Sequence, residues 1–251
     1  MNTCRASTRR FRTLGSLGLC LLLLATLSAC GTSQDETFDP LAILAQFAVV
    51  QATTQSAEGS NTEAFAGVIF WQGVFTKTVP GGSVEVVDPE GVPHAMRIVR
   101  TASGDYYKAD LSPQQFQFGA RYTFRVRLED GTAIPVESAP TPSQDFVITE
   151  PVAGQRIQRG QGQQLDVSWS NRGDGNVVIA IRRNPADIFS IIGLGHPRND
   201  VGAARIPVGD PAPGRAYLEI TRKGLDAAAG GFGGGSTVYA SLCNAVEVVI
   251  E

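Results

Sequence analysis

Tyr122-Thr123-Phe124-Arg125-Val126-Arg127-Leu128 is the stretch on which the reading of the fold turns. Apolar residues stand at every second position, with Thr and Arg between them. That period gives one face to a core and one to water, as in a strand of an antiparallel sheet. Glu129-Asp130-Gly131 closes the strand with turn residues. Working outward, the same pattern predicts upstream strands at residues 46–54, 64–71, 83–87, 95–101 and 106–111. Glu58-Gly59-Ser60-Asn61, Asp88-Pro89-Glu90-Gly91 and Ser103-Gly104-Asp105 supply turns between them. Downstream, residues 165–170 and 176–183 are expected to form a hairpin about residues 171–175. Further strands are expected at 203–208, 216–221, 237–242 and 245–250. The chain carries 28 Gly and 14 Pro among Val- and Thr-rich runs, and no long segment keeps a 3.6-residue apolar period. The expected fold class is all-β.

The residues before the central strand, Phe116-Gln117-Phe118-Gly119-Ala120-Arg121-Tyr122, resemble the Leu-x-Pro-Gly-Thr-x-Tyr stretch of fibronectin type III-like sandwiches. Gly119 and Tyr122 match, while Phe116 and Phe118 replace the leucine and the proline. The resemblance implies a tyrosine corner, in which the Tyr122 hydroxyl bonds to backbone a few residues upstream. The stretch is also similar to carboxypeptidase regulatory-like and transthyretin-like sandwiches. Residues 135–143 hold three prolines and read as an extended linker. Beyond it, Phe146-Val147-Ile148-Thr149-Glu150-Pro151, Arg159-Gly160 and Leu165-Asp166-Val167-Ser168-Trp169 resemble the opening of an Ig-like module of microbial surface proteins. Two tandem antiparallel β-sandwich domains of Ig-like or fibronectin III-like type are therefore expected, at residues 46–141 and 145–251. Gly214-Arg215-Ala216-Tyr217 superficially repeats Gly119-Ala120-Arg121-Tyr122. After it, however, Leu218 and Ile220 carry the apolar phase, out of step with Tyr217, so the sequence does not repeat.

The N-terminus reads differently. Arg5, Arg9, Arg10 and Arg12 form a basic head, and an apolar run over residues 14–27 follows. This is the order of a secretory signal, and the run is short for a membrane span. Leu27-Ser28-Ala29-Cys30, followed by Gly31, resembles the lipobox of bacterial lipoproteins. The resemblance implies cleavage after residue 29 and acylation of Cys30. It also implies a cell-envelope location, with Gly31 favouring the outer membrane over inner-membrane retention. Several acyl chains anchor durably, since each buried CH2 contributes roughly 0.8 kcal/mol. Residues 30–45 are then a tether, in which Leu41-Ala42-Ile43-Leu44-Ala45 could also open a helix.

Removing residues 1–29 leaves 17 basic against 24 acidic residues, a formal charge of −7. Without a basic cluster such a chain is a poor partner for nucleic acid. Cys4 and Cys20 leave with the signal and Cys30 carries lipid, so Cys243 is the one thiol left and no intramolecular disulfide forms. Its apolar surroundings point to a buried, inert thiol.

The remaining candidates for chemistry each have a plainer structural reading. His94 and His196 lack metal-ligand spacing, and no Gly-x-Ser-x-Gly elbow follows the signal. Arg172-Gly173-Asp174 is an integrin-type tripeptide, yet Gly, Asp and Asn are also what a tight turn requires. Asp88, Glu90, Asp105 and Asp110 lack the order of a calcium loop. The glycine-rich residues 230–235 lack the Lys and Ser/Thr of a phosphate loop and read as a mobile hairpin loop. Trp71 and Trp169 sit in apolar strands and read as core. The expected function is that of a lipid-anchored envelope protein acting as a non-catalytic binding, adhesion or scaffold module. A carbohydrate- or cell-wall-binding lipoprotein is the alternative, and an envelope hydrolase a third reading. The expected partners are membrane lipid, through Cys30, and an envelope or extracellular protein or glycan; no cofactor or metal is expected.

Overall fold

The computed structural model describes residues 38–173, 175–183, 196–224 and 227–251. Cys30, the signal segment, the tether up to residue 37, and Asp174 lie outside them. The described residues form strands in the order β1 (Leu44–Ser56), β2 (Gly59–Gln72), β3 (Phe75–Lys77), β4 (Ser83–Val87), β5 (Pro93–Ala95), β6 (Arg97–Thr101) and β7 (Gly104–Leu111). Then come β8 (Thr123–Arg127), β9 (Ala133–Glu137), β10 (Ile148–Glu150), β11 (Arg156–Ile157), β12 (Gly160–Trp169) and β13 (Asn176–Arg182). The last are β14 (His196–Asn199), β15 (Ala203–Gly209), β16 (Gly214–Lys223), β17 (Ala227–Ala228) and β18 (Thr237–Ile250). The all-β expectation holds. Leu41 does not open an α-helix: a 3-10 turn at Pro40–Ala42, capped by the Asp39 side chain, leads directly into β1.

One long sheet runs β14-β13-β16-β18-β1-β2-β7-β6, and two short sheets, β5-β4-β8-β9 and β10-β12-β15, complete the layers. β1 and β18 pair in parallel from Gln46↔Thr237 to Gln55↔Val246. Strands from both sides of residues 141–145 thus share one sheet, and the expected division into separate domains does not hold there. The physical reason lies in β18, which is apolar on both faces along most of its 14 residues and needs partners on both edges. β16 takes one edge and β1 the other, and β11 continues the β1 edge at Val249 and Ile250.

Each short sheet covers part of one face of the long sheet. Under the first, Phe47 of β1 meets Phe124 of β8 at 5.2 Å between ring centroids, with Phe70 and Phe232 at 6.0 and 5.3 Å. Such ring pairs add about 0.5–1.5 kcal/mol beyond the area they bury. Phe232 comes from the glycine-rich loop, which is packed rather than mobile. Gly233 N–H donates to the carbonyls of Pro40 and Ile43, and a Cβ there would meet the carbonyl oxygens of Leu41 and Ile43 at 2.9 Å.

Under the second short sheet, Trp169 Nε1 donates to Asp200 Oδ1 at 2.6 Å. Asp200 Oδ2 accepts from Arg222 Nε of β16 at 2.5 Å. β12 and β13 are not the hairpin the turn residues suggested. β12 pairs with β10 and β15, whereas β13 pairs with β14 and β16 in the long sheet. The chain therefore passes from one layer to the other between Trp169 and Asn176. Likewise, the expected strand at 95–101 divides at buried Met96 into β5 and β6, which join different sheets.

The tyrosine corner is present. The Tyr122 hydroxyl donates to Gln115 O at 2.5 Å and accepts from Gln117 N–H at 2.9 Å. Residues 138–142 are no solvated linker. Ser138 and Thr141 are buried; Ser138 Oγ accepts from Tyr122 N–H, and Thr141 Oγ1 donates to Gln117 O.

Candidate functional site

The long sheet has a second apolar face. Residues paired across strands share a face, so Ala48 and Val50 of β1 align with Tyr239 and Ser241 of β18, and with Gly67 and Phe65 of β2. Ala48, Val50, Phe65, Ile69, Tyr239 and Cys243 form one cluster there, with Ala52, Trp71 and Tyr106 packed against it. At the end marked by the β1–β2 turn the cluster opens into a trough of about 480 Å3. Ala52, Phe65, Cys243 and Ala245 line its floor, while Glu58, Glu63, Arg215 and Glu247 stand among its polar walls. Arg215 Nε lies 3.1 Å from Glu247 Oε1, and Asn61 Nδ2 donates to Glu63 Oε1 at 3.1 Å.

Beside the trough, Glu219 of β16 is 2% exposed. Arg182 Nε of β13 is 3.4 Å from its Oε1, and Thr221 Oγ1 donates to the same oxygen at 3.3 Å. Burial raises the Glu219 carboxyl above its ordinary range, against the pull of Arg182 and Thr221. Burial also drives the Cys243 thiol far up, reinforced by the neighbouring carboxylate. A thiol held protonated is a poor nucleophile, so Cys243 contributes packing. The trough offers an apolar floor to a side chain and charged groups at its walls to a polar neighbour.

The other candidates disperse. His94 Nε2 is 3.0 Å from Asp88 Oδ2, while Asp88 Oδ1 accepts from the backbone N–H of Glu90 and Val92. Burial pushes the Asp88 carboxyl up, but His94 and these backbone donors outweigh it, and the net shift is downward. The pair closes a turn. Asp105 instead lies near Arg100 and Asp110 pairs with Lys108 and Arg97, so the four carboxylates do not gather. No group of three His, Cys, Asp or Glu residues among the described residues could hold a metal. Arg172 O accepts from Gln144 Nε2 and Gly173 packs near Asp200, but Asp174 and the His196 side chain fall outside the described residues. Trp169 is buried and Trp71 is half-buried. Sequence reasoning missed Glu219 and the trough. The one available signal was an acidic residue inside the apolar run Ala216-Tyr217-Leu218-Glu219-Ile220.

No family model matches the sequence, and no curated protein sequence matches it. Among solved structures, the chain is similar to Dpr11 IG1 bound to DIP-gamma IG+IG2, at 10% identity and TM-score 0.23, over 82% of this chain and 98% of that one. It is similar to DIP-gamma IG1+IG2 at 10% identity and TM-score 0.23, over 83% and 99%. It is also similar to Dpr2 Ig1-Ig2 in complex with DIP-Theta Ig1-Ig3, at 12% identity and TM-score 0.26, over 83% and 99%.

Proposed function

We propose that this chain is a lipid-anchored cell-envelope protein, held through acylated Cys30, whose β body is a non-catalytic binding, adhesion or scaffold module. The basic head, the apolar run and Leu27-Ser28-Ala29-Cys30 support the anchor. The trough between β1–β2 and β16–β18 is the observation that carries the binding role. It combines an apolar floor with polar walls, and the ionisable groups next to it are tied to one another. The glycan-binding alternative calls for exposed aromatic rings on one sheet face. Trp169 is instead buried on Asp200, and Trp71 packs into the cluster.

Site-specific photo-crosslinking in intact cells tests the binding role. A photoreactive residue at Thr54, in the trough, should give discrete adducts, while one at the exposed turn residue Asp130 should give none. A folded protein with no adduct at Thr54, or with equal adducts at both positions, would contradict it.

A further inference from the structure

Three large apolar side chains stand in water at one end of the long sheet. Leu41 is 72%, Val74 82% and Phe75 71% exposed. Val74 and Phe75 belong to the β2–β3 hairpin, whose two-residue loop is Gly73-Val74. Gly73 has φ +61, the left-handed value that suits the first loop position of a type II′ turn. The second position accepts polar residues readily, so the turn itself does not call for Val74. Leu44 pairs with Trp71 across β1 and β2, which sets Leu41 at the same end as the hairpin tip. The β6–β7 turn is there as well, since Asp105 N–H donates to Thr76 Oγ1 at 2.8 Å. It brings Arg100, exposed and 3.7 Å from Asp105. Asp39 caps the turn that leads to Leu41 at this end.

This is also the end at which the chain enters the fold. Seven residues lie between Cys30 and Phe38, which makes eight Cα–Cα steps. Fully extended they span at most roughly 29 Å. The acyl chains proposed above therefore hold this end of the sheet within about that distance of the bilayer.

The geometry points to the Val74–Phe75 tip, with Leu41, as a membrane-contacting edge that inserts into the lipid interface beside the acyl anchor; this rests on the lipoprotein reading. Apolar side chains in water at a hairpin tip find a favourable environment among acyl chains, and half-buried Trp71 and Tyr106 behind them suit the interfacial zone. The insertion fixes the sheet upright. The trough lies at the β1–β2 turn, the opposite end of 13-residue β1, roughly 40 Å away along the strand. It is thereby displayed away from the bilayer.

The test uses the lipoprotein purified from membranes and reconstituted into phosphatidylethanolamine–phosphatidylglycerol vesicles containing nitroxide-labelled lipid. Val74→Cys and, at the far end, Glu58→Cys carry an environment-sensitive fluorophore; Cys30 is acylated and Cys243 buried, so neither competes. The Val74→Cys label should be blue-shifted and quenched several-fold more strongly than the Glu58→Cys label. Equal quenching at both positions, with acyl groups present on Cys30 by mass spectrometry, would overturn the membrane-contacting edge and leave the anchor standing. A Cys30 without acyl groups would instead remove the anchor, and the tip's placement with it.

Discussion

Arg222 and Asp200 meet at 2.5 Å between the long sheet and the β10-β12-β15 sheet, with 4% and 5% of their surfaces exposed. The arrangement satisfies more than the pair. Arg222 also donates to the carbonyls of Gln144 and Asn171 and lies 4.5 Å from the centroid of the Phe146 ring. Asp200 gives its second oxygen to Trp169. Two charges out of water are tolerated because nearly every donor and acceptor has a partner.

Removing one partner leaves the other charged and buried. Arg222→Met should therefore destabilise the fold by about 3–5 kcal/mol. The double variant Asp200→Asn/Arg222→Met should lose less than the sum of the single changes, since it strands no charge. Denaturant unfolding of the four proteins measures the coupling; strict additivity would mean that the pair is not coupled.

Tyr122→Phe removes both bonds of the tyrosine corner. The expected cost is about 1–3 kcal/mol, because Gln115 O and Gln117 N–H lose a buried partner. The pH dependence follows. The Tyr122 phenol is pushed up to about 12, chiefly by burial. Its folded value exceeds the unfolded one near 10. Its contribution is therefore complete below pH 10 and is lost as pH rises towards 12. Unfolding midpoints measured from pH 9 to 11.5 should fall more steeply for the wild type than for Tyr122→Phe. Parallel slopes would place the hydroxyl in water.

The shared sheet predicts one cooperative unit. Expressed separately, residues 38–142 and 143–251 would each expose a long unpaired edge, β1 in one and β18 in the other. Both pieces should aggregate or remain unfolded, while the intact body unfolds in a single transition by circular dichroism and Trp fluorescence. Two independent transitions, or two soluble folded halves, would contradict the shared sheet.

Cys243 should be silent to thiol reagents in the native protein and react at once in denaturant. Burial both shields it and holds it protonated. Fast native labelling would show that the β16–β18 face opens.

What was legible in the sequence was local. The alternation from Tyr122 to Leu128, the span of β4 and the tyrosine corner each depend on neighbours within a few residues, and each stands as read. The opposite phase after Tyr217 also stands, with Ala216, Leu218 and Ile220 buried. The pairing of β1 with β18 joins residues about 190 positions apart, as Ala45 N–H and Ser236 Oγ also do. An apolar run reports that a strand is buried, not which strand lies beside it. The same gap hid the roles of two low-complexity stretches. Proline content does not say whether extended backbone meets water or, as at Thr141, the turn at Gln117 and Ala120 that precedes β8. Glycine content did not reveal that Phe232 anchors its loop in the core. The trough was invisible because its walls come from β1, β2, β16 and β18.

The most direct test of the anchor is metabolic labelling with a fatty acid analogue, followed by fractionation of cells making wild-type protein or Cys30→Ala. The wild type should take up label and sediment with membranes. The variant should take up none and be either soluble or an uncleaved precursor, its β body folded in both cases. Unlabelled wild-type protein, or a cleaved Cys30→Ala protein that stays with the membrane, would contradict the account.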